Sequence, residues 1–484
     1  MNKEEFEKYV LKGYKQIPVY EEFVADLISP LYVFSNYFNL RNTFLFESAK
    51  SHEVKGRYSI MSLQSLKRYN FFKNEVEIVT KEKIERRRVP DPFKYLENLI
   101  NEFNAPTIKG LPNFLGGLIG YFSYESFNFI EPKLNLLSPE IPFISICQCN
   151  EIIVFDNFKG TFFIIVTTEQ KNNDGYQNAK RRIKEIKNAI YSLQPSISQN
   201  INRVDKELVI TSNPDEKTFK SYVKKIKSLI NDGEIMQAVL SREVSFKGNF
   251  DPFTLYRALR LINPSPYMFY MNFGDLNLIG SSPEILVQNF EDKVTIRPIA
   301  GTRKRGANES EDLQNKIDLI GDDKEKAEHM MLVDLARNDV SKVANPSTVS
   351  VDEMMIVEKY SHVMHMTSNV IGQIKESATP IDCLKAALPA GTLSGAPKIR
   401  AMKILSELEN RARGIYGGCV GYIGYNKSLD TAIIIRTALH KKNEVRVGVG
   451  AGIVFDSEPQ NEWNETVAKL NVFLEALKYE WKSV

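Results

Sequence analysis

Two stretches of the chain carry glutamates at helical spacing. Glu325 and Glu328 stand in a segment that continues through Ala327, Met331 and Leu335, and Glu462, Glu465 and Lys469 fall at i, i+3 and i+7 in a second. Residues three or four apart share a helix face, so each segment presents a pair of carboxylates. Two such pairs would make a hard, oxygen-only site for Mg²⁺, an ion that takes one or two carboxylates and completes its shell with water and an anionic substrate. Spacing alone describes solvated helix faces better than a metal site. A glycine-rich string, Gly448-Val449-Gly450-Ala451-Gly452, comes off a strand-like run and reads as a turn. Glycines there let the backbone approach a ligand and aim N–H groups at an anion; a strand bulge is the plain alternative. The string lacks the later glycine and following helix of a dinucleotide fingerprint, which argues against NAD. Arg436 lies in the apolar run Thr431-Ala432-Ile433-Ile434-Ile435-Arg436-Thr437. Its planar fork needs a partner there, a carboxylate best of all, from a ligand or from an internal salt bridge. Metal, anion-binding backbone and arginine together suit a small polycarboxylate.

The elements that must position these groups follow from periodicity. Strand-like runs cover residues 236–245, 267–272, 277–280, 285–288, 417–425, 431–439 and 445–454, and helix-like stretches cover about 323–337, 381–387, 397–410 and 460–478. The strands come as hairpins and runs, without regular βα alternation, so the expected class is α+β with largely antiparallel sheet. The polar stretch 194–200 reads as a linker. After it, Asn213-Pro214-Asp215-Glu216 looks like an N-cap followed by a first-turn proline, with Phe219, Tyr222, Val223, Ile226 and Ile230 at helical spacing and Gly233 as the stop. The expected organisation is therefore an N-terminal domain, 1–205, and a catalytic domain, 213–484. No repeat of solenoid length is present.

Composition narrows the function classes. The chain has 484 residues, 43% hydrophobic and 25% charged, an ordinary globular balance that excludes disorder or a fibrous rod. Lys and Arg total 63 against 60 Asp and Glu, so the net charge of +3 is too small to draw nucleic acid or an anionic membrane by bulk attraction. No window approaches the roughly 20 apolar residues of a membrane span, and the start, Met1-Asn2-Lys3-Glu4-Glu5, is too acidic for a secretory signal. The chain reads as soluble and cytoplasmic. Cys147 and Cys149 share a strand face, but with no second pair or nearby histidine they read as core residues. Of the five histidines, His329, His362 and His365 lie in motif-like regions, and none pairs with a Ser or Cys nucleophile.

Further strings complete the pattern: Pro298-Ile299-Ala300-Gly301-Thr302, Gly280-Ser281-Ser282-Pro283-Glu284, Tyr360-Ser361-His362-Val363-Met364-His365, and Pro389-Ala390-Gly391-Thr392-Leu393-Ser394-Gly395-Ala396-Pro397-Lys398. Together they resemble the chorismate-utilising enzymes, most closely the large subunit of anthranilate synthases, from about Leu45 to Leu477 and most densely after residue 233. In the first half, Leu45-Phe46-Glu47-Ser48, Gly56-Arg57-Tyr58-Ser59 and Phe114-Leu115-Gly116-Gly117 belong to the same likeness. The resemblance implies two packed sheets with helices outside. It also implies amination of chorismate at C2 with loss of the C4 hydroxyl, followed by elimination of pyruvate.

The family's roles carry over residue by residue. Glu328 and Glu465 match its magnesium ligands, with Glu325 and Glu462 beside them. Chorismate contacts fall on Gly301, Thr302, Tyr416, Arg436, Gly450, Ala451, Gly452 and Lys469. Glu284 matches the general acid for the departing hydroxyl, and His365 the histidine of the elimination. Isochorismate and salicylate synthases place a lysine where Gln237 stands, and aminodeoxychorismate synthases one where Ala300 stands, so the resemblance favours ammonia as nucleophile. No cysteine lies in a Gly-x-Cys-x-Gly elbow, so ammonia is expected from a separate glutamine amidotransferase subunit, in a hetero-oligomer, or from solution. Ser48 with Pro266, Tyr267 and Met268 matches the family's tryptophan effector site. The departure to Phe46, where the family often has leucine, would reshape that pocket.

Overall fold

Short apolar runs recur along the chain, and in the computed structural model they build two twelve-stranded antiparallel sheets. The structure describes residues 1–48, 56–65, 67–193, 201–204, 207–359 and 363–481; the expected linker 194–200 and residues 360–362, with His362, lie outside them. The first sheet runs, in spatial order, Ile17–Val24, Thr161–Thr168, Glu151–Asp156, Tyr58–Ser62, Thr43–Glu47, Tyr267–Asn272, Asn277–Ser282, Thr437–Lys441, Glu444–Ile453, Gln237–Lys247 and Val209–Asn213, with Gly395–Ala396 beside Gln237–Lys247. The second runs Ile299–Lys304, Val363–Gln373, Lys293–Ile296, Ile285–Phe290, Leu429–Ile433, Cys419–Gly424, Gly117–Phe122, Ile144–Cys149, Lys67–Phe71, Glu75–Thr80 and Ile84–Arg88, with Ser350–Lys359 beside Val363–Gln373.

Each sheet draws strands from both halves of the chain. The seams are Met268 opposite Glu47 in one and Gly421 opposite Gly120 in the other. The division expected between 1–205 and 213–484 therefore runs through both sheets. Between the sheets lies an apolar layer that includes Phe44, Phe269 and Leu278 from the first and Ile119, Val420 and Ala432 from the second. Cys147 and Cys149 are buried in this layer, and burial raises both thiols, Cys149 to about 12. Helices cover the outer faces: Pro252–Ile262 and Pro459–Ala476 on the first sheet, Pro92–Asn101, Asp323–Val343 and Pro380–Ala387 on the second. Among the described residues, no helix is long and apolar enough to cross a membrane.

Three local expectations are corrected. The cap of helix Glu216–Asn231 is Asp215, which accepts from the Thr218 amide at 2.8 Å; Asn213 is committed to its strand, opposite Glu243. The glycine string is no turn, because residues 448–452 continue strand Glu444–Ile453 and pair with Gln237–Lys247. The apolar run 431–439 is not one strand. It breaks after Ile433 and resumes at Thr437, because Leu429–Ile433 belongs to the second sheet and Thr437–Lys441 to the first.

Candidate active site

The break between those strands puts Arg436 at a crossover from one sheet to the other. Its φ of 48° is in the left-handed region, which a non-glycine residue adopts only when its surroundings impose it. The Arg436 carbonyl accepts from the Ser281 amide at 3.0 Å, and the side chain lines a cavity of about 270 Å³. This cavity lies where the crossover, strand Glu444–Ile453 and the helices Asp323–Val343 and Pro459–Ala476 converge.

One wall is acidic. Glu328 and Leu332, one turn apart on helix Asp323–Val343, face Glu465 and Lys469 from the last helix. Burial raises the Glu328 carboxyl, and the charges of Glu325 and Glu465 raise it further. Glu328 has no ion-pair partner among the described residues, whereas Glu465 is paired to Lys469 at 2.7 Å. Glu325 is not part of the lining: Arg303 holds it at 2.9 Å, and its carboxylate lies beside Gly301. Glu462 also stands off the lining, its carboxyl raised by burial despite a hydrogen bond from Ser457. No group of three or more metal-ligating side chains stands together among the described residues. A half-buried carboxylate repelled by its neighbours, facing a second one, fits a cation that takes one or two protein ligands and fills its shell from water and substrate.

The lining also carries a buried carboxyl, Glu284, and a buried imidazole, His365. Burial pushes the Glu284 carboxyl up to about 8, against the opposing pull of the Thr392 hydroxyl, which donates to it at 3.1 Å, and of Arg436 and Lys469. Glu284 therefore holds its proton near neutral pH. His365 stands opposite Thr302 in the sheet, and its Nδ1 is 3.0 Å from both the Thr302 hydroxyl and the Gly301 carbonyl. A carbonyl only accepts, so Nδ1 carries the proton and Nε2 is the basic nitrogen. Burial, reinforced by Arg436, lowers the imidazole below its ordinary value, so the ring is neutral at pH 7. Gly301, with φ of 65°, forms the bulge between Ala300 and Thr302 that makes its carbonyl available to the ring.

Glycines form the floor. Beyond Val447 the strand Glu444–Ile453 has no neighbour on its second edge among the described residues, and there Lys469 donates to the Gly450 carbonyl at 2.8 Å. A Cβ at Gly448 would lie 2.4 Å from the Tyr416 ring, and one at Gly450 2.7 Å from the Tyr416 hydroxyl. Gly452 faces Gln237 at the far end, while the side chain of Ala451 points to the opposite, helix-covered side. The cavity thus gathers Glu284, Thr302, Glu328, His365, Tyr416, Arg436, Gly450, Gly452, Glu465 and Lys469, leaving Gly301, Ala451, Glu325 and Glu462 just behind it.

Two contributors had no assigned role in the sequence reading. Thr392, in the noted string 389–398, is the hydroxyl partner of Glu284. Arg413 is buried and bonded to Glu409, to the Leu393 carbonyl and to the Val239 carbonyl, so it ties together the loops that carry Tyr416 and Thr392. Its only sequence signal was a charge of opposite sign four residues after Glu409.

The residues of the suggested effector site lie elsewhere. Glu47 pairs with Met268, so Ser48 comes alongside Tyr267, and Tyr267 donates to Asp430 at 2.8 Å.

The family model for chorismate binding enzymes matches residues 42–475, and the anthranilate synthase component 1 of Neisseria meningitidis serogroup A is 42% identical over 483 residues, covering 98% of each chain. The chain belongs to the anthranilate synthase component I family of chorismate-binding enzymes. The component 1 protein of Pseudomonas aeruginosa, 40% identical, is covered over its full length. Among solved structures, anthranilate synthase component I of Streptococcus pneumoniae superposes with a TM-score of 0.76 at 31% identity, covering 94% of this chain and 99% of that one. The menaquinone-specific isochorismate synthase of Escherichia coli, at 18% identity and a TM-score of 0.72, shares the fold. The family's two packed antiparallel sheets are those described above, and the chain is an enzyme of the anthranilate synthase kind.

Proposed function

We propose that this chain, a cytoplasmic enzyme, converts chorismate and ammonia to anthranilate, pyruvate and water with Mg²⁺, opening tryptophan synthesis under feedback by tryptophan. The observation that carries this reading is the pair Gln237 and Ala300 on the cavity wall. A glutamine cannot take a proton from water, and an alanine offers no amine. Both positions thus favour ammonia as the nucleophile over water or a protein lysine. Glu328 and Glu465 would hold the metal, which when bound would neutralise a substrate carboxylate. Arg436 suits a carboxylate of the substrate through its planar fork. Glu284 is the proton source for the hydroxyl leaving C4. The Nε2 of His365 then takes the C2 ring proton as pyruvate departs and the ring aromatises.

Glutamine itself would be split elsewhere. All four cysteines are buried with their thiols raised, the opposite of a nucleophilic thiolate. A separate amidotransferase subunit in a hetero-oligomer fits that, and the component 1 naming of the relatives supports a partner component. Ser48 with residues 266–268 is the tryptophan site in this reading.

The purified chain with chorismate, an ammonium salt and Mg²⁺ at mildly alkaline pH should release fluorescent anthranilate and pyruvate in equal amounts. Chelation of the metal should stop it, and glutamine should not replace ammonium. An amino product formed without pyruvate would make the chain an aminodeoxychorismate or aminodeoxyisochorismate synthase, and unchanged chorismate would make it a silent regulatory subunit.

A further inference from the structure

The segment Asn263-Pro264-Ser265-Pro266-Tyr267-Met268 is separated from Arg436 by a single strand, Asn277–Ser282. Ser281 stands on that strand opposite Met268, and its neighbour Gly280 stands opposite Thr437. The Ser281 side chain is fully buried, and its hydroxyl is committed to the segment. It accepts from Asn263 Nδ2 at 3.0 Å, donates to the Asn263 carbonyl, and meets the Ser265 hydroxyl at 2.9 Å. A hydroxyl has one proton and two lone pairs, so these three contacts use its whole capacity. On its other side, the Ser281 amide holds the carbonyl of Arg436 at 3.0 Å.

The next residue grips the other end of the crossover. The Ser282 hydroxyl donates to the Ile433 carbonyl at 2.6 Å, and the Ile433 amide donates to the carbonyl of Glu284 at 3.0 Å. Consecutive serines thus hold both ends of the link 433–436 that carries the left-handed Arg436. A second tie runs from the same segment: Tyr267 donates to Asp430, on the strand that enters the crossover, and Gln288 Nε2 bonds to both at 3.0 Å.

We propose that Ser281 is a positioning residue whose hydroxyl couples segment 263–268 to Arg436, setting how the arginine meets chorismate. The coupling rests on the effector reading of Ser48 and residues 266–268 given above. A ligand that displaces this segment must carry Ser281 with it or break its three contacts, and either event alters the anchor of the Arg436 carbonyl. The effect belongs in chorismate affinity, because Arg436 binds substrate and transfers no proton.

The test uses the full chain with ammonium and Mg²⁺, chorismate varied with and without saturating tryptophan, and tryptophan binding followed by calorimetry. Ser281→Ala keeps the backbone amide and loses the hydroxyl. It should raise the chorismate KM about threefold or more with kcat within about twofold of wild type. Tryptophan should still bind within about threefold of wild-type affinity but shift the chorismate KM by less than about twofold. Ser265→Ala, which removes one of the three contacts, should move both readouts the same way by less, and it decides the matter if Ser281→Ala lacks a cooperative thermal transition. If the wild type responds to tryptophan and a folded Ser281→Ala responds equally with unchanged KM, the proposal is overturned and the effector reading stands. If tryptophan neither binds nor inhibits the wild type, the effector reading fails and takes the coupling with it.

Discussion

Glu284 is a carboxylic acid that keeps its proton because its burial outweighs the positive charges near it. Arg436 and Lys469 pull its pKa down, but burial outweighs them and leaves it at about 8. A raised pKa means the acid is present below that value and lost above it, so kcat/KM, corrected for free ammonia, should fall as pH climbs through about 8. Glu284→Gln should lose about 100-fold or more in turnover and abolish that limb; a glutamine variant with the same alkaline limb would assign it to another group. His365 behaves oppositely. Its lowered pKa makes it a neutral base near pH 7, and activity should decline only as acid protonates Nε2. His365→Ala should slow elimination more than amination, so that a non-aromatic amino intermediate accumulates in the mass spectrum. Loss of chorismate consumption without that intermediate would refute the base assignment. At this scale the resemblance named residues that the fold does bring together: Glu284, Thr302, Glu328, His365, Tyr416, Arg436, Gly450, Gly452, Glu465 and Lys469 line one cavity. It said nothing of Thr392 as partner of Glu284, or of Arg413, since those roles exist only once distant loops meet.

Arg436 also shows what periodicity misses between elements. The run 431–439 is apolar throughout because it is buried wherever it goes, and an uninterrupted apolar run carries no mark of a change of sheet. The glycine string misled for a related reason. Its glycines meet the needs of a strand crossed by the Tyr416 ring, and nothing in the string itself distinguishes that from a turn. The strand reading gives a sharp test. A Cβ at Gly450 would lie 2.7 Å from the Tyr416 hydroxyl and 2.8 Å from the Leu240 carbonyl, and the second is backbone in a paired strand that cannot swing aside. Gly450→Ala should therefore raise the chorismate KM about tenfold or more and cost about 1–3 kcal/mol of stability by overpacking. Gly321→Ala, with nothing within 4 Å of its added Cβ, should change neither. Equal KM in the two variants, measured beside their thermal transitions, would remove the glycine floor from the proposed substrate site.

The whole molecule is closed by pairings between halves of the chain that lie far apart in sequence. Strand Thr43–Glu47 is paired on one side by Tyr267–Asn272, Gly117–Phe122 is paired by Cys419–Gly424, and the C-terminal strand Tyr479–Trp481 returns to pair with Ile201–Arg203. Local pattern gave the antiparallel class and a break near residue 205, but it could not show that strands on either side of the break would share sheets, because register between distant strands leaves no local trace. Cutting the chain there would leave unpaired edges in both sheets and strip the layer that joins Phe269 and Leu278 to Ile119 and Val420. Hydrophobic burial on that scale is the main source of folding free energy. Fragments 1–205 and 213–484, expressed singly, should therefore show no cooperative thermal transition and weak near-ultraviolet circular dichroism. Co-expressed, they should associate and recover anthranilate formation, because every catalytic group in the proposed reaction lies in 213–484 and needs its sheets completed by the other fragment. A lone 213–484 fragment that melts cooperatively and turns over chorismate at the full-chain rate would show instead that the C-terminal unit owns its core, and that the shared sheets are an attachment to it.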